Sequence, residues 1–416
     1  MRMTTTDADN SFEDDGFVDS TAQTVPEALA DLWAQAARFA EKPGEPVAIT
    51  YPLCAPLAQP RVWAAFFAHL DCCKDACDAF GTRVVAAPSA DGDARALVLQ
   101  AVAKSARGVA DENLLFSPNG VEDDDDDDWD LSPELAAKLR EAEALDDEEA
   151  APTTSSIEGS SSSSFALVEA PDAEVLDVTK RWVDAVVSGA GVCPFSVNAD
   201  KAGLPVGRVR YHVSRAADAE AAYAAYWREV ATLQAATETE LSTTLLVLAD
   251  ARWTTNLEEF ETLGGTLAQA LASTDNDDQS DASPTTTLGM DRDIQLVFFH
   301  PRYAFRDGRD RAGADEAANF ARRSPYPMIN ILRTSQVRTA QRGLPTALVY
   351  AQNEQTLAEL GAGFLADMLD KRDWSGMDGK RVDRKQVEVL RLAQDLMRQA
   401  SDAPSSPGTT TTTPES

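Results

Sequence analysis

Histidine is scarce in this 416-residue chain: there are three, at positions 69, 212 and 300, too far apart to form a multi-histidine metal centre from local sequence. Cysteine is also sparse. With five thiols and an acidic, polar start from Met1 to Asp19, the pattern reads as reduced cysteines in the cytoplasm, not a secreted disulfide framework. Plastid residence stays open if the chain begins elsewhere. Basic residues are few, 37 Lys plus Arg against 69 Asp plus Glu, for a net charge of −32. Neutralising phosphates requires clustered cations, so a general nucleic-acid binder is not expected. No apolar run approaches the roughly 20 residues that span a bilayer, so no membrane partner is expected either. Motifs are missing as well. The sequence contains no GxGxxG opening a helix, no GxxxxGK[ST], no HExxH and no GxSxG. Nothing in it calls for a cofactor.

What is present is unevenly distributed. Residues 1–24 and 401–416 are polar tails, and 117–172 form an acidic and Ser-rich stretch with the runs Asp123 to Asp128 and Ser160 to Ser164. Within 121–150 there are fifteen acids and two bases. Self-repulsion without apolar surface predicts a disordered linker, or a docking tail for a basic partner, with one short helix from Pro133 to Leu145. Two ordered regions flank it. Residues 25–116 read as a small α/β unit, with helices at 26–41, 61–80 and 94–105 and strands at 47–51 and 84–87. Residues 173–378 alternate more clearly: helices at 174–187, 217–236, 256–272 and 346–369, strands at 209–214, 243–248, 294–299 and 328–332. A further helix is expected at 379–400, and residues 273–292 read as a polar surface insertion. The predicted fold class is α/β, a sheet of about four strands with packed helices; a ferredoxin-like α+β sandwich is the alternative. No internal repeat is evident.

Charge placement gives the best clue to chemistry. From His300 to Arg342 there are nine Arg, no Lys and four acids, a window of +5 in a chain of −32. Guanidinium forks grip carboxylate or phosphate at two points, so this window is a candidate anion site. The competing reading is solvated loop residues paired with the chain's many acids. His300 follows the apolar strand IQLVFF, at the strand end where ligands gather in open α/β sheets, and its imidazole suits acid–base work. Cys193, in GVCPF, is a candidate nucleophile or a small buried hydrophobe. His69, Cys73 and Cys77 share a helical face, a spacing that fits a core stripe with Phe66 and Phe80 better than a metal site.

The segments RWVDAVVSGAGVCPF, FFHPRYAF and NFARRSPYPMINILRTS, in this order, resemble the DUF1415 proteins, a mainly bacterial family of unknown function. The resemblance covers about 175–375. It implies that Cys193, Pro194, Phe195, His300, Pro301, Tyr303, Phe305, Asn319, Arg323, Ser324, Pro325, Tyr326, Pro327 and Arg333 occupy family motif positions. Two positions depart from the pattern: Asn330 stands where the family has His, and Arg322 where it has Asn. The family brings no reaction with it.

Three functions follow as expectations. The first is an enzyme acting on a small anionic metabolite, with Cys193 and His300 catalytic and Asn319, Arg322, Arg323, Ser324, Tyr326, Asn330 and Arg333 binding substrate. The second is a non-catalytic module that senses such an anion, and the third a structural or interaction scaffold. If the strand at 294–299 runs parallel to that at 328–332, His300 meets Arg333; if antiparallel, it meets Arg323 and Ser324.

Overall fold

The protein's structure is a computed structural model that describes residues 17–89, 95–102, 170–193, 207–271, 288–305, 313–341 and 346–382. Most of the expected linker with its helix, residues 383–400 of the expected last helix and 273–287 of the insertion lie outside these residues, while Asp172 already starts a helix and residues 379–382 are not helical.

Two four-stranded sheets are present. The first holds β1 (Phe17–Asp19), β2 (Val47–Thr50), β3 (Val84–Pro88) and β4 (Ala96–Ala101), in the order β1-β2-β4-β3. Helix α1 (Val25–Glu41) links β1 to β2, and α2 (Pro60–Cys73) links β2 to β3. Helix α1 starts at a capping box: the Thr24 side chain accepts from Glu27 N, and the Glu27 carboxylate accepts from Thr24 N. Two expectations fail here. Residues 17–24, read as part of a disordered tail, supply a strand and a helix cap. Ala96–Ala101, within the helix expected at 94–105, form the strand β4. Its Leu97 and Leu99 alternate into the core between β2 and β3, and that tertiary pairing outweighs helix propensity.

The second sheet holds β5 (Arg208–Ser214), β6 (Leu241–Leu248), β7 (Ile294–Phe299) and β8 (Met328–Arg333), in the order β5-β6-β8-β7. Only β5 and β6 are parallel. The α/β expectation with about four strands holds, and the strand order departs from the ferredoxin-like alternative. Helix α4 (Ala219–Ala235) links β5 to β6; α5 (Ala251–Thr255) and α6 (Leu257–Leu271) link β6 to β7. Before β5 stands α3 (Asp172–Trp182), which runs into a π-helix, Val183–Gly189. After β8 come α7 (Thr334–Gln341), α8 (Thr346–Leu360) and α9 (Ala362–Lys371). The single helix expected at 346–369 is broken at Gly361, whose φ of +86° favours glycine.

One apolar core joins the two sheets. Helices α1 and α2 from the first half pack on α4 and α6 from the second, and residues of both halves form a single buried cluster. At its centre Trp33 and Trp227 each donate their indole N–H to His69 Nε2, at 3.2 and 3.1 Å. Nδ1 therefore carries the proton, 3.8 Å from Cys73 Sγ, and burial holds the imidazole neutral with its pKa down to about 3. The stripe of His69 and Cys73 is thus core. The Glu220 carboxylate, 1% exposed, accepts from the backbone N–H groups of Ala79 and Phe80 at 2.8 Å each, across the junction. Arg252 reinforces that contact, bridging Asp78 and Glu259. A second core lies on the other face of the β5–β8 sheet, where α3, the π-helix, α8 and α9 cover Leu245, Val247 and Met328.

Candidate functional site

Strands β7 and β8 pair antiparallel, with Phe299 opposite Met328 and Ile294 opposite Arg333. His300 therefore stands at the same end as Arg323 and Ser324. Arg333 lies at the far end, where its Nε donates to Leu241 O at 3.1 Å and its Nη2 to Leu233 O and Ala236 O at 2.6 and 2.7 Å. These carbonyls include the open end of α4, which a cation stabilises through the helix dipole.

The residues expected to form a site are otherwise gathered in the connection between β7 and β8, whose two described arms lock together. His300 N donates to Arg322 O at 3.2 Å, and Phe305 N donates to Asn319 Oδ1 at 3.0 Å. Asn319 O accepts from the backbone of both Arg322 and Arg323. The Arg323 guanidinium lies over Phe320, donates from Nε to Tyr303 O at 3.0 Å and pairs with Glu316 at 3.0 Å. Arg322 reaches Phe298 O at 3.5 Å and sits against the rings of Phe299 and Tyr303. Ser324 Oγ donates to Tyr326 O at 2.6 Å. Tyr326 is buried, its hydroxyl has no hydrogen-bond partner among the described residues, and burial raises its pKa.

His300 is fully enclosed. Its Nε2 donates to Trp253 O at 2.8 Å, and its Nδ1 accepts from Arg302 N at 3.0 Å. Burial lowers its pKa to about 4; the Arg302 charge adds to that, and the Trp253 carbonyl opposes it. The imidazole is neutral at pH 7, and both nitrogens are engaged by backbone.

Cys193 and Asn330 belong to other elements than this connection. Cys193 follows the π-helix, half-buried and outside any disulfide, its N–H donating to Val187 O at 3.1 Å; Pro194 and Phe195 lie outside the described residues. The π-turn closes with Ala190 N on Ala185 O, a wider loop than an α-helix makes. Asn330 occupies the middle of β8, between Leu245 and Val297, with Thr243 Oγ1 2.6 Å from its Oδ1.

A groove of about 220 Å³ opens between α6 and the edge strand β7, beside the locked connection. Leu257, Phe260, Glu261, Gly264, Gly265, Phe298 and Tyr303 are among the residues that line it, with Glu261 its one charged member. Gly264 makes this packing possible, because a Cβ there would sit 2.9 Å from the Phe298 ring. Phe260, in the groove wall, also stacks on His300 with ring centroids 5.4 Å apart.

Sequence reasoning passed over the third histidine. His212, on β5, is partly exposed, with Nδ1 3.4 Å from the buried Glu229 carboxylate, which Arg210 grips at 2.6 and 3.1 Å. Burial lowers the His212 pKa, Glu229 opposes the shift, and Arg210 adds to it. Alternation along β5 places Arg210 and His212 on one face, but only the fold brings Glu229 to them. Among the described residues, no group of three or more His, Cys, Asp or Glu is placed to hold a metal ion, and no helix is long and apolar enough to cross a membrane.

Fold and site thus define a mixed α/β domain whose chemistry-bearing loop is knitted to its own backbone beside an apolar groove. Residues 174–367 match the model of the DUF1415 family, described as a protein of unknown function. No curated protein and no solved structure matches the chain.

Proposed function

We propose that the segment matching the DUF1415 model is a non-catalytic binding module that takes a small ligand with an apolar body and an anionic head. The body lies in the groove between α6 and β7, and Arg322, which sits against the Tyr303 ring of the groove wall, is the cation for the head, while Glu261 in the lining is the carboxylate the head must avoid. The observation that carries this reading is His300. A neutral imidazole with one nitrogen donating to Trp253 O and the other accepting from Arg302 N has neither a lone pair nor a proton for a substrate. Arg323 and Arg333 are likewise bound to Glu316 and to carbonyls, which supports a binding role over the enzyme reading built on Cys193, His300 and those two guanidiniums. At about 220 Å³ the groove is smaller than a drug-sized pocket, so one ring or a short chain is its natural content.

The test is a thermal-shift panel on the full chain with octanoate, phenyl phosphate, phenylacetate and inorganic phosphate, repeated on Gly265→Leu and Arg322→Gln. A Cβ at Gly265 meets nothing within 4 Å, so leucine there fills the groove without a clash at the backbone. A ligand at 100 times its dissociation constant stabilises by about 2.7 kcal/mol. The expected result is a shift that Gly265→Leu abolishes and that loses its preference for a charged head in Arg322→Gln. Turnover of ester or phosphate substrates that Cys193→Ser abolishes would return the balance to the enzyme.

A further inference from the structure

The two sheets share more than a strand count. Each half runs strand, helix, strand, helix, strand, strand; each sheet places its strands in the order first, second, fourth, third; and in each only the first two strands are parallel. The agreement extends to single residues. Helices α1 and α4 begin at the N-caps Thr24 and Asp218, and nine residues beyond each stands a buried tryptophan, Trp33 and Trp227. Counting from the same caps, Leu29 matches Tyr223, Leu32 matches Tyr226, Ala36 matches Val230 and Phe39 matches Leu233, and all eight are buried. In the sheets, Asp19 pairs with Thr50 and Thr50 with Ala96; at the matching places Val213 pairs with Val247 and Val247 with Met328. Helices α2 and α6 both begin ten residues after those central positions and bury Phe66, Leu70 and Cys73 against Leu263, Leu267 and Ala270. Even the bond that closes the last hairpin recurs: Val102 N donates to Arg83 O and Thr334 N to Asp293 O, both at 2.9 Å.

Matching helices also face each other, α1 on α4 and α2 on α6, as they do across a twofold axis. We infer that residues 17–102 are a diverged second copy of the 208–333 unit, and that the α4/α6 face of the latter is a homotypic docking surface whose resident partner is this copy. Divergence separates the two roles. The first copy joins β3 to β4 through residues 89–95 alone, whereas residues 300–327, with the locked connection, lie between β7 and β8. Phe67 in the first copy stands at the position of Gly264, so the groove belongs to the second copy only. The first copy serves as partner, and the second carries the ligand features. This inference holds whether or not the groove binds a ligand.

The test starts from the whole chain with a protease site inserted between Val102 and Ala170. After cleavage the two pieces are expected to stay together as a 1:1 complex by light scattering and native mass spectrometry. Separation into folded monomers would overturn the docking surface. The pieces are then parted in urea and the C-terminal piece is returned to buffer alone, where a face that accepts its own kind yields a dimer of that piece, converted to the 1:1 complex by added N-terminal piece. A folded, monomeric C-terminal piece refutes the homotypic surface. If that piece precipitates, the deciding readout is rescue: the N-terminal piece must restore the 1:1 complex, a Trp33→Ala version must do so at least tenfold less well, and failure of either overturns the inference.

Discussion

The enclosure of His300 sets a pH signature that separates a structural imidazole from a catalytic one. With a folded pKa of about 4 against roughly 6.5 in the unfolded chain, the unfolded state binds the extra proton between those values. The stability this contributes is complete above about pH 6.5 and is lost as pH falls towards 4. Linkage arithmetic puts the loss between pH 7 and pH 5 at about 2 kcal/mol. His300→Gln keeps a donor for Trp253 O and an acceptor for Arg302 N while removing the titration, so its stability should be flatter with pH by that amount. Urea unfolding of both proteins at pH 7 and pH 5 measures the difference directly, and the contribution of His69 cancels because both proteins retain it. The chain's histidines give an independent check by NMR: the imidazoles of His69 and His300 should stay neutral in the native protein between pH 5 and pH 8. Equal pH dependence in the two proteins, or a His300 resonance that titrates near 6.5, would refute the reasoning and restore His300 as an acid–base candidate.

Other substitutions probe the joints of the fold. Glu220→Ala leaves the N–H groups of Ala79 and Phe80 without their carboxylate and should cost about 2–4 kcal/mol in urea unfolding. Arg333→Met keeps the side-chain length but strips three carbonyls of their donor; a loss of about 2 kcal/mol is expected, with no change in ligand response if Arg333 only caps α4. Gly264→Ala drives a methyl against the Phe298 ring and should destabilise by about 1–3 kcal/mol, read as a lowered melting temperature.

The sequence was most readable where one element's own pattern decided its state. Ile294 to Phe299 is a strand to the residue, and the helix expected at 26–41 begins one residue early because the Thr24 and Glu27 capping box fixes its start. Legibility fell where distant contacts decide. Ala96–Ala101 is a strand only because β2 and β3 lie on either side, and the three residues of β1 are too few to show a period. The duplication was hidden for a related reason. Its two copies agree in which positions are buried, yet Leu29 against Tyr223 and Phe39 against Leu233 conserve volume in the core loosely and letters not at all. For the site, sequence placed His300 correctly at a strand end and left both strand directions open. What it did not contain was the fate of each polar atom: that His300 turns to Trp253, that Arg333 spans to α4, and that Glu229 waits beneath His212.

The shared core has a consequence for valence. In a symmetric pair of identical chains, every surface feature appears twice, and every substitution acts at two places at once. Here the two units belong to one polypeptide, so their encounter is intramolecular and set by tether length, and does not depend on how much protein is present. Each chain accordingly carries one groove beside Gly264 and one His69 clasped by two tryptophans. A ligand titration on the intact chain should therefore saturate at one equivalent without cooperativity, at any dilution.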